Sequence, residues 1–199
     1  MNIPEGYLNG EIRDGFYVES TMKKAWAAEI EVLNEVDRIC RQHDIQYFAD
    51  WGTLLGTIRH KGFVPWDDDM DITMKREDYT RFCQIVRQEQ GELEIINFHT
   101  DPEWKDMLSR VINGRSVNYT EEHLRKYHGF PYVAGLDIFP LDYVAPTEEE
   151  DKLQCSMISI VEAFSANIRN NTATPEEIEQ TTKDIEQMCG VKFNNLVYR

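Results

Sequence analysis

The chain has 199 residues and a formal charge of −15. That length suits one ordinary domain with a small appendage. A hydrophobic content of 41% can bury a core and excludes disorder as the main state, while the acidic balance counts against a general nucleic-acid binder.

No apolar run approaches the roughly 20 residues needed to cross a bilayer. The start MNIPEGYLNGEIRDG is polar and lacks the apolar stretch of a signal peptide. The expected location is cytoplasmic, with peripheral contact at the inner face of the membrane left open. Cys40, Cys83, Cys155 and Cys189 are widely spaced and form no CxxC pair, so they are expected to be reduced and mostly buried.

Residues 1–18 read as an extended N-terminal arm. Over 19–43, Met22, Trp26, Ile30, Leu33, Val36 and Ile39 or Cys40 recur at helical spacing and predict an amphipathic helix packed on a core. Residues 45–49 read as a short buried strand. GTLLGTIRH follows as a short helix with Gly52 and Thr53 at its start. KGFVPW is a loop, because Gly62 and Pro65 break both periodicities. DMDITMK reads as a strand. REDYTRFCQIVRQEQG reads as a helix with Tyr79, Phe82, Ile85 and Val86 inward and Gly91 as its stop. LEIINF is a strand, DMLSRVING and SVNYT are a candidate strand pair, and YVAGLDIFPLDYV is a strand ending near Pro140. Two helices close the chain. Thr147 with Glu150 makes a capping box, and Thr174-Pro175-Glu176-Glu177 makes another with proline at the first helical position. Asn170-Asn171 marks the turn between them. This order predicts an α+β fold, a small mixed sheet flanked by helices with a C-terminal helical pair. The expected divisions are an arm at 1–18, a core at 19–146 and a helical segment at 147–199. The last residues, Leu196 to Arg199, carry no helix stop, as expected of a segment cut short.

PWDDDMDI sets Asp67, Asp68, Asp69 and Asp71 within five positions, flanked by Trp66, Met70 and Ile72. Carboxylates left buried and unpaired would be expensive. On a strand, Asp69 and Asp71 face one way and Met70 and Ile72 face the core, with Asp67 joining the acidic face if the strand begins early. Two carboxylates so spaced suit one hard cation. A third from a neighbouring strand would complete the site, and Asp137, set among Leu136, Ile138 and Phe139, is the best candidate, with Asp142 in reserve. Three plainer readings compete. A solvated acidic loop sits badly with the apolar flanks. An EF-hand loop would have Asp67, Asp69, Asp71 and Asp78 in its first, third, fifth and twelfth positions, but Ile72 stands where it needs glycine and Asp78 where it needs glutamate. A structural ion pair with Arg59 and Lys61 stays open.

A strand-to-helix turn at Gly52-Thr53 can offer free backbone N–H groups to a phosphate. Arg59, His60 and Lys61 come just before the acidic run. Metal on one side and arginine on the other is the usual arrangement for phosphoryl transfer. An ordinary surface role for His60 stays open. Arg110 and Arg115 are further phosphate candidates.

The string GTLLGTIRHKGFVPWDDDMDI, with GLDIFPLD downstream, resembles the LicD family of phosphocholine transferases, related to the fukutin group within the nucleotidyltransferase superfamily. The likeness runs from about Tyr47 to Asp142. It implies a nucleotidyltransferase-like catalytic fold within 19–146. Gly52 and Thr53 match the turn that holds nucleotide phosphates. Asp69 and Asp71 match the metal-binding and catalytic carboxylates, Asp137 the third, with Asp67 assisting. Arg59 and Lys61 match the basic loop. The implied reaction is Mg²⁺- or Mn²⁺-dependent transfer of phosphocholine, or a similar phospho-alcohol, from CDP-choline or a like nucleotide-activated donor. The acceptor would be a hydroxyl of a cell-surface glycan such as lipopolysaccharide or teichoic acid, and CMP would be released. We expect Asp137 to act as base for that hydroxyl. A choline head would want an aromatic cage, for which Trp51, Trp66, Trp104, Tyr119 and Tyr132 are candidates, although aromatics of this kind are commonly core residues. Two alternatives are kept: a nucleotidyltransferase that moves NMP and releases pyrophosphate, and a non-catalytic nucleotide- or cation-binding domain.

Overall fold

The computed structural model describes residues 1–89, 91–101, 103–190 and 192. The elements run β1 (Glu11–Arg13), β2 (Phe16–Val18), α1 (Ser20–Gln42), β3 (Phe48–Ala49), α2 (Trp51–Arg59), β4 (Asp71–Lys75), α3 (Arg76–Glu89), β5 (Glu94–Ile96), β6 (Ser109–Ile112), α4 (Glu121–Lys126), β7 (Gly135–Leu141), α5 (Glu148–Arg169) and α6 (Pro175–Cys189). They fall into two compact units, Met1–Asp142 and Tyr143–Arg199.

In the first unit β3, β4, β7, β6 and β5 lie in that order in one sheet. The β4–β7 pair is parallel and the others are antiparallel. This is the small mixed sheet flanked by helices that the sequence predicts. The parallel pair needs a long crossover, and α3, β5, β6 and α4 lie between its strands in the chain.

Alternation along the strands gives the sheet two different faces. Ile72, Met74, Leu136, Ile138 and Val111 share one face and are buried with Ala28, Val32, Val36, Ile39 and Cys40 of α1 and with Tyr79, Phe82 and Val86 of α3. The register places Asp71 beside Asp137, and Asp137 beside Arg110, on the opposite face. One pleat therefore seats the sheet on its helices and carries charge outward.

The structure differs from the sequence reading at several points. Residues 11–18 of the expected arm form a β1–β2 hairpin, turned at Asp14 and Gly15, which both have positive φ. The strand expected over 45–49 shortens to Phe48–Ala49. SVNYT is not a strand, and α4 follows it, capped by Thr120. On α1 the buried stripe is rotated: Lys23, Glu29 and Glu31 are buried, while Ile30 and Leu33 are only partly covered. Lys23 is held by Glu11 at 2.5 Å and by the Tyr7 ring at 4.1 Å, so the hairpin supplies its counter-charge. Cys40 is buried, but Cys155 and Cys189 are exposed, and all four cysteines are free.

The second unit is the expected helical pair. Thr147 caps α5 by accepting from the Glu150 N–H at 3.3 Å. Thr174 and Glu177 form a reciprocal capping box at the start of α6, with Pro175 first in the helix. Gly190 ends α6 at φ 65°, a left-handed value that glycine adopts without a Cβ clash. The expected cut at 196–199 lies outside the described residues.

Candidate active site

The acidic loop is pinned from both sides. The Trp26 indole N–H of α1 donates to the Asp67 carbonyl at 2.8 Å, and the same ring stacks on Phe63 at 4.8 Å. The Asp67 N–H closes a turn onto the Val64 carbonyl at 3.0 Å, with Pro65 inside the turn. The strand then begins at Asp71, so Asp69 lies just before the pleat rather than on it.

Asp50 caps α2 by accepting from the Trp51 N–H at 2.9 Å. This brings Gly52 and Thr53 against the acidic strand. The Asp71 N–H donates to Thr53 Oγ1 at 2.8 Å. A Cβ on Gly52 would run into the Asp67 carboxylate, so glycine is what permits the turn to lie this close. One turn on, Gly56 lies against loop backbone: a Cβ there would meet the Gly62 carbonyl at 2.5 Å.

Asp71 and Asp137 are direct register partners on parallel strands. Burial, then Asp69, then Asp137 push the Asp71 carboxyl up to about 6. Asp69 is also raised, by lost hydration first and then by Asp67, with which it shares a hydrogen bond. Asp67, Asp68 and Asp69 each bring a carboxylate oxygen within 4.8 Å of the others. Arg110 grips Asp137 with a fork, Nε to Oδ1 at 2.6 Å and Nη2 to Oδ2 at 2.7 Å. It is the cation beside an otherwise acidic cleft of about 320 Å³ lined by Glu29, Asp68, Asp69 and Asp137 together with Met70 and Leu136.

Sequence reasoning missed Glu29. It is 6% exposed, and its Oε2 is buried without a hydrogen-bond partner. Burial, followed by the charges of Asp69, Asp68 and Asp67, pushes its carboxyl up to about 9. The signal was present: an acid three residues after Trp26 and three before Val32 lies on the inward stripe of a helix.

Several expected residues take other neighbours. Arg59 Nε donates to His60 Nε2 at 2.7 Å, and His60 Nδ1 faces Asp14 Oδ2 at 2.6 Å, tying the basic loop to the hairpin turn. Lys61 donates to the Ile58 carbonyl at 3.1 Å and lines a second, more apolar cleft with Tyr7, Arg13 and Thr53. Asp142 is forked by Arg76, and Arg115 is taken by Glu94 at 2.7 Å. Trp51 is 66% exposed and tilts over Phe139; Trp66 meets Phe16 and His60; Trp104 meets Arg110. Among the described residues that line the acidic cleft, none is aromatic.

The donor set passes a chemical test for a hard divalent ion. It is all oxygen, burial and then the neighbouring acids raise two of its carboxyls, and a buried oxygen with no partner, Glu29 Oε2, lines the same cleft. Asp69, Asp71 and Asp137, with Asp67 beside them, are the residues that would hold it.

A mixed sheet with carboxylates at adjoining strands and a glycine-bearing helix start beside them has the architecture of a nucleotidyltransferase-type domain. The chain belongs to the LicD/FKTN/FKRP family, whose nucleotidyltransferase domain matches residues 44–152. Over 72 residues it is 40% identical to the lipopolysaccharide cholinephosphotransferase LicD of Haemophilus influenzae, covering 36% of this chain and 27% of that protein. It is 38% identical over 58 residues to an uncharacterized protein of Rickettsia typhi, covering 29% of this chain and 19% of that one. A further uncharacterized protein, of Rickettsia prowazekii, is 36% identical over 58 residues, 29% of this chain and 22% of its own. The matches thus span between 19% and 27% of these curated relatives.

Proposed function

We propose that this domain transfers phosphocholine, or a similar phospho-alcohol, from a CDP-activated donor to a hydroxyl of a glycan, releasing CMP. The observation that supports it best is the row Asp71–Asp137–Arg110 across three strands, with Asp69 beside it, in a chain of this family. Acid and arginine side by side can position a phosphoryl group and balance the charge that develops on it.

In this reading the acceptor oxygen forms a bond to the phosphorus that carries the alcohol. The bond from that phosphorus to the bridging oxygen breaks, and CMP leaves with the electron pair. Asp69, Asp71 and Asp137, with Asp67, would hold Mg²⁺ or Mn²⁺, which when bound would supply charge neutralisation at the phosphate oxygens. Arg110 turns its guanidinium from Asp137 to the transferred phosphoryl oxygens, exchanging one charge-assisted pair for another. Asp137, released from the fork, takes the acceptor's proton on a carboxylate oxygen. Thr53 and Gly52 hold α2 against β4 and set where the donor phosphates can approach. The cytoplasmic location, at the inner face of the membrane where a lipid-linked glycan would be met, belongs to the same proposal. Among the described residues no helix is long and apolar enough to cross a membrane.

The test is phosphorus NMR of the protein with CDP-choline, Mg²⁺ and a lipopolysaccharide-derived oligosaccharide. CMP and a phosphodiester on the sugar are expected, and both should vanish in EDTA and in Asp69→Asn with Asp71→Asn. Pyrophosphate from CTP would favour NMP transfer instead. Tight donor binding without product on any acceptor would favour a non-catalytic domain.

A further inference from the structure

We propose that Glu29 of α1 is a ligand of the divalent cation, a carboxylate contributed from outside the stretch that matches the family. The inference rests on the metal-dependent reading above.

Glu29 lies in the wall of the same cleft as Asp68, Asp69 and Asp137. It is 94% buried by the complement of its 6% exposure, and its Oε2 has no donor. An acceptor buried without a partner costs free energy that a helix position could avoid with any aliphatic residue. The charges acting on it come from Asp69, Asp68 and Asp67, all of its own sign. Arg110 spends its fork on Asp137. A carboxyl buried in the wall of a cleft that it shares with Asp68, Asp69 and Asp137 is a poor core residue and a good oxygen ligand. A hard cation that prefers several oxygens makes the arrangement favourable.

The backbone supports this placement independently. Trp26, three residues before Glu29 on the same helix, donates to the Asp67 carbonyl at 2.8 Å. That bond registers the Asp67–Asp69 loop against the helix face that carries Glu29. Asp67, Asp68 and Asp69 bring oxygens within 4.8 Å of one another on the loop, and Glu29 would add a donor from a helix as Asp71 and Asp137 would from strands.

The test is Mn²⁺ binding, followed by electron paramagnetic resonance of the free ion without nucleotide, together with melting temperatures in EDTA and in Mn²⁺. The proteins are wild type, Glu29→Gln, Asp69→Asn, and Glu35→Gln as a control for loss of one charge elsewhere on α1. Glu29→Gln should bind Mn²⁺ at least about tenfold more weakly. It should melt no lower than wild type in EDTA, yet lose most of the rise that Mn²⁺ gives the wild type. A structural role for Glu29 would produce the reverse, a lower melting temperature in EDTA with the affinity kept. If Glu29→Gln does not fold, Glu29→Asp carries the test: weakened Mn²⁺ binding supports the proposal and unchanged binding overturns it. Wild-type affinity in Glu29→Gln with loss in Asp69→Asn overturns the role of Glu29 alone. No Mn²⁺ binding by the wild type overturns both it and the metal-dependent reading.

Discussion

Replacing Arg110 by methionine keeps the stem and removes the fork. Asp137 is only 12% exposed at its side chain, and it would then face Asp71 across the strand register with no cation against it. Arg110 itself is 47% exposed, so the pair is half in water and its loss falls short of the 3–5 kcal/mol typical of a fully buried pair. A charge-assisted bond to a covered carboxylate suggests about 1–3 kcal/mol. At roughly 2–4 °C per kcal/mol for a chain of this size, the melting temperature in EDTA should fall by about 2–12 °C. Saturating Mg²⁺ should recover much of that loss, because the ion takes over the carboxylate that arginine had neutralised. Scanning fluorimetry of wild type, Arg110→Met, Asp137→Asn and the double variant in both buffers measures each arm. The double variant should be less destabilised than the sum of the singles, with a coupling of at least about 1 kcal/mol. A deficit in Arg110→Met that Mg²⁺ leaves untouched would refute the placement of Asp137 among the cation's ligands. No deficit at all would refute the reasoning about the fork.

The pH dependence of stability in EDTA follows from two raised acids. Glu29 goes from 4.5 to about 9 and Asp71 from 3.8 to about 6, so the folded protein holds protons that the unfolded chain gives up first. Their stabilisation is complete below the unfolded values and is lost as pH rises, through 6 for Asp71 and toward 9 for Glu29. Between pH 6.5 and 8.5 the slope from Glu29 approaches about 1.4 kcal/mol per unit, less whatever water enters the cleft as the carboxyl ionises. Urea titrations at a series of pH values should show this decline in wild type and a flatter profile in Glu29→Gln; equal profiles would sink it. Gly56→Ala should cost about 1–2 kcal/mol, since a Cβ 2.5 Å from the Gly62 carbonyl and 3.0 Å from the Val64 N–H outweighs the helix preference of alanine. A variant as stable as wild type in urea would mean that the loop over 62–64 can move aside.

What a reader can take from the linear chain alone is what short-range chemistry decides. The caps at Thr147 and Thr174, Pro175 in the first turn and the glycine stop at Gly190 are settled within a few residues, and the helices follow them closely. The acidic run and its glycine turn also stand out, because Asp67, Asp69 and Asp71 among apolar neighbours invite the question of what neutralises them. The neighbours of that run are another matter. Arg110 meets Asp137 across 27 positions, and Trp26 meets Asp67 across 41. Strand register makes the first contact and helix packing the second, and neither leaves a periodic trace in the sequence. Arg59 and His60 look like phosphate ligands in one dimension, yet the hairpin brings Asp14 onto His60 from 46 positions away. Sequence by itself determined the helices other than α4, the acidic run and the family string, since each rests on local hydrogen bonding or residue type. Only the tertiary structure decided that Asp137 meets Arg110, and that an oxygen of Glu29 of α1 is buried without a hydrogen-bond partner beside the acidic loop, because charge pairing depends on distance in space.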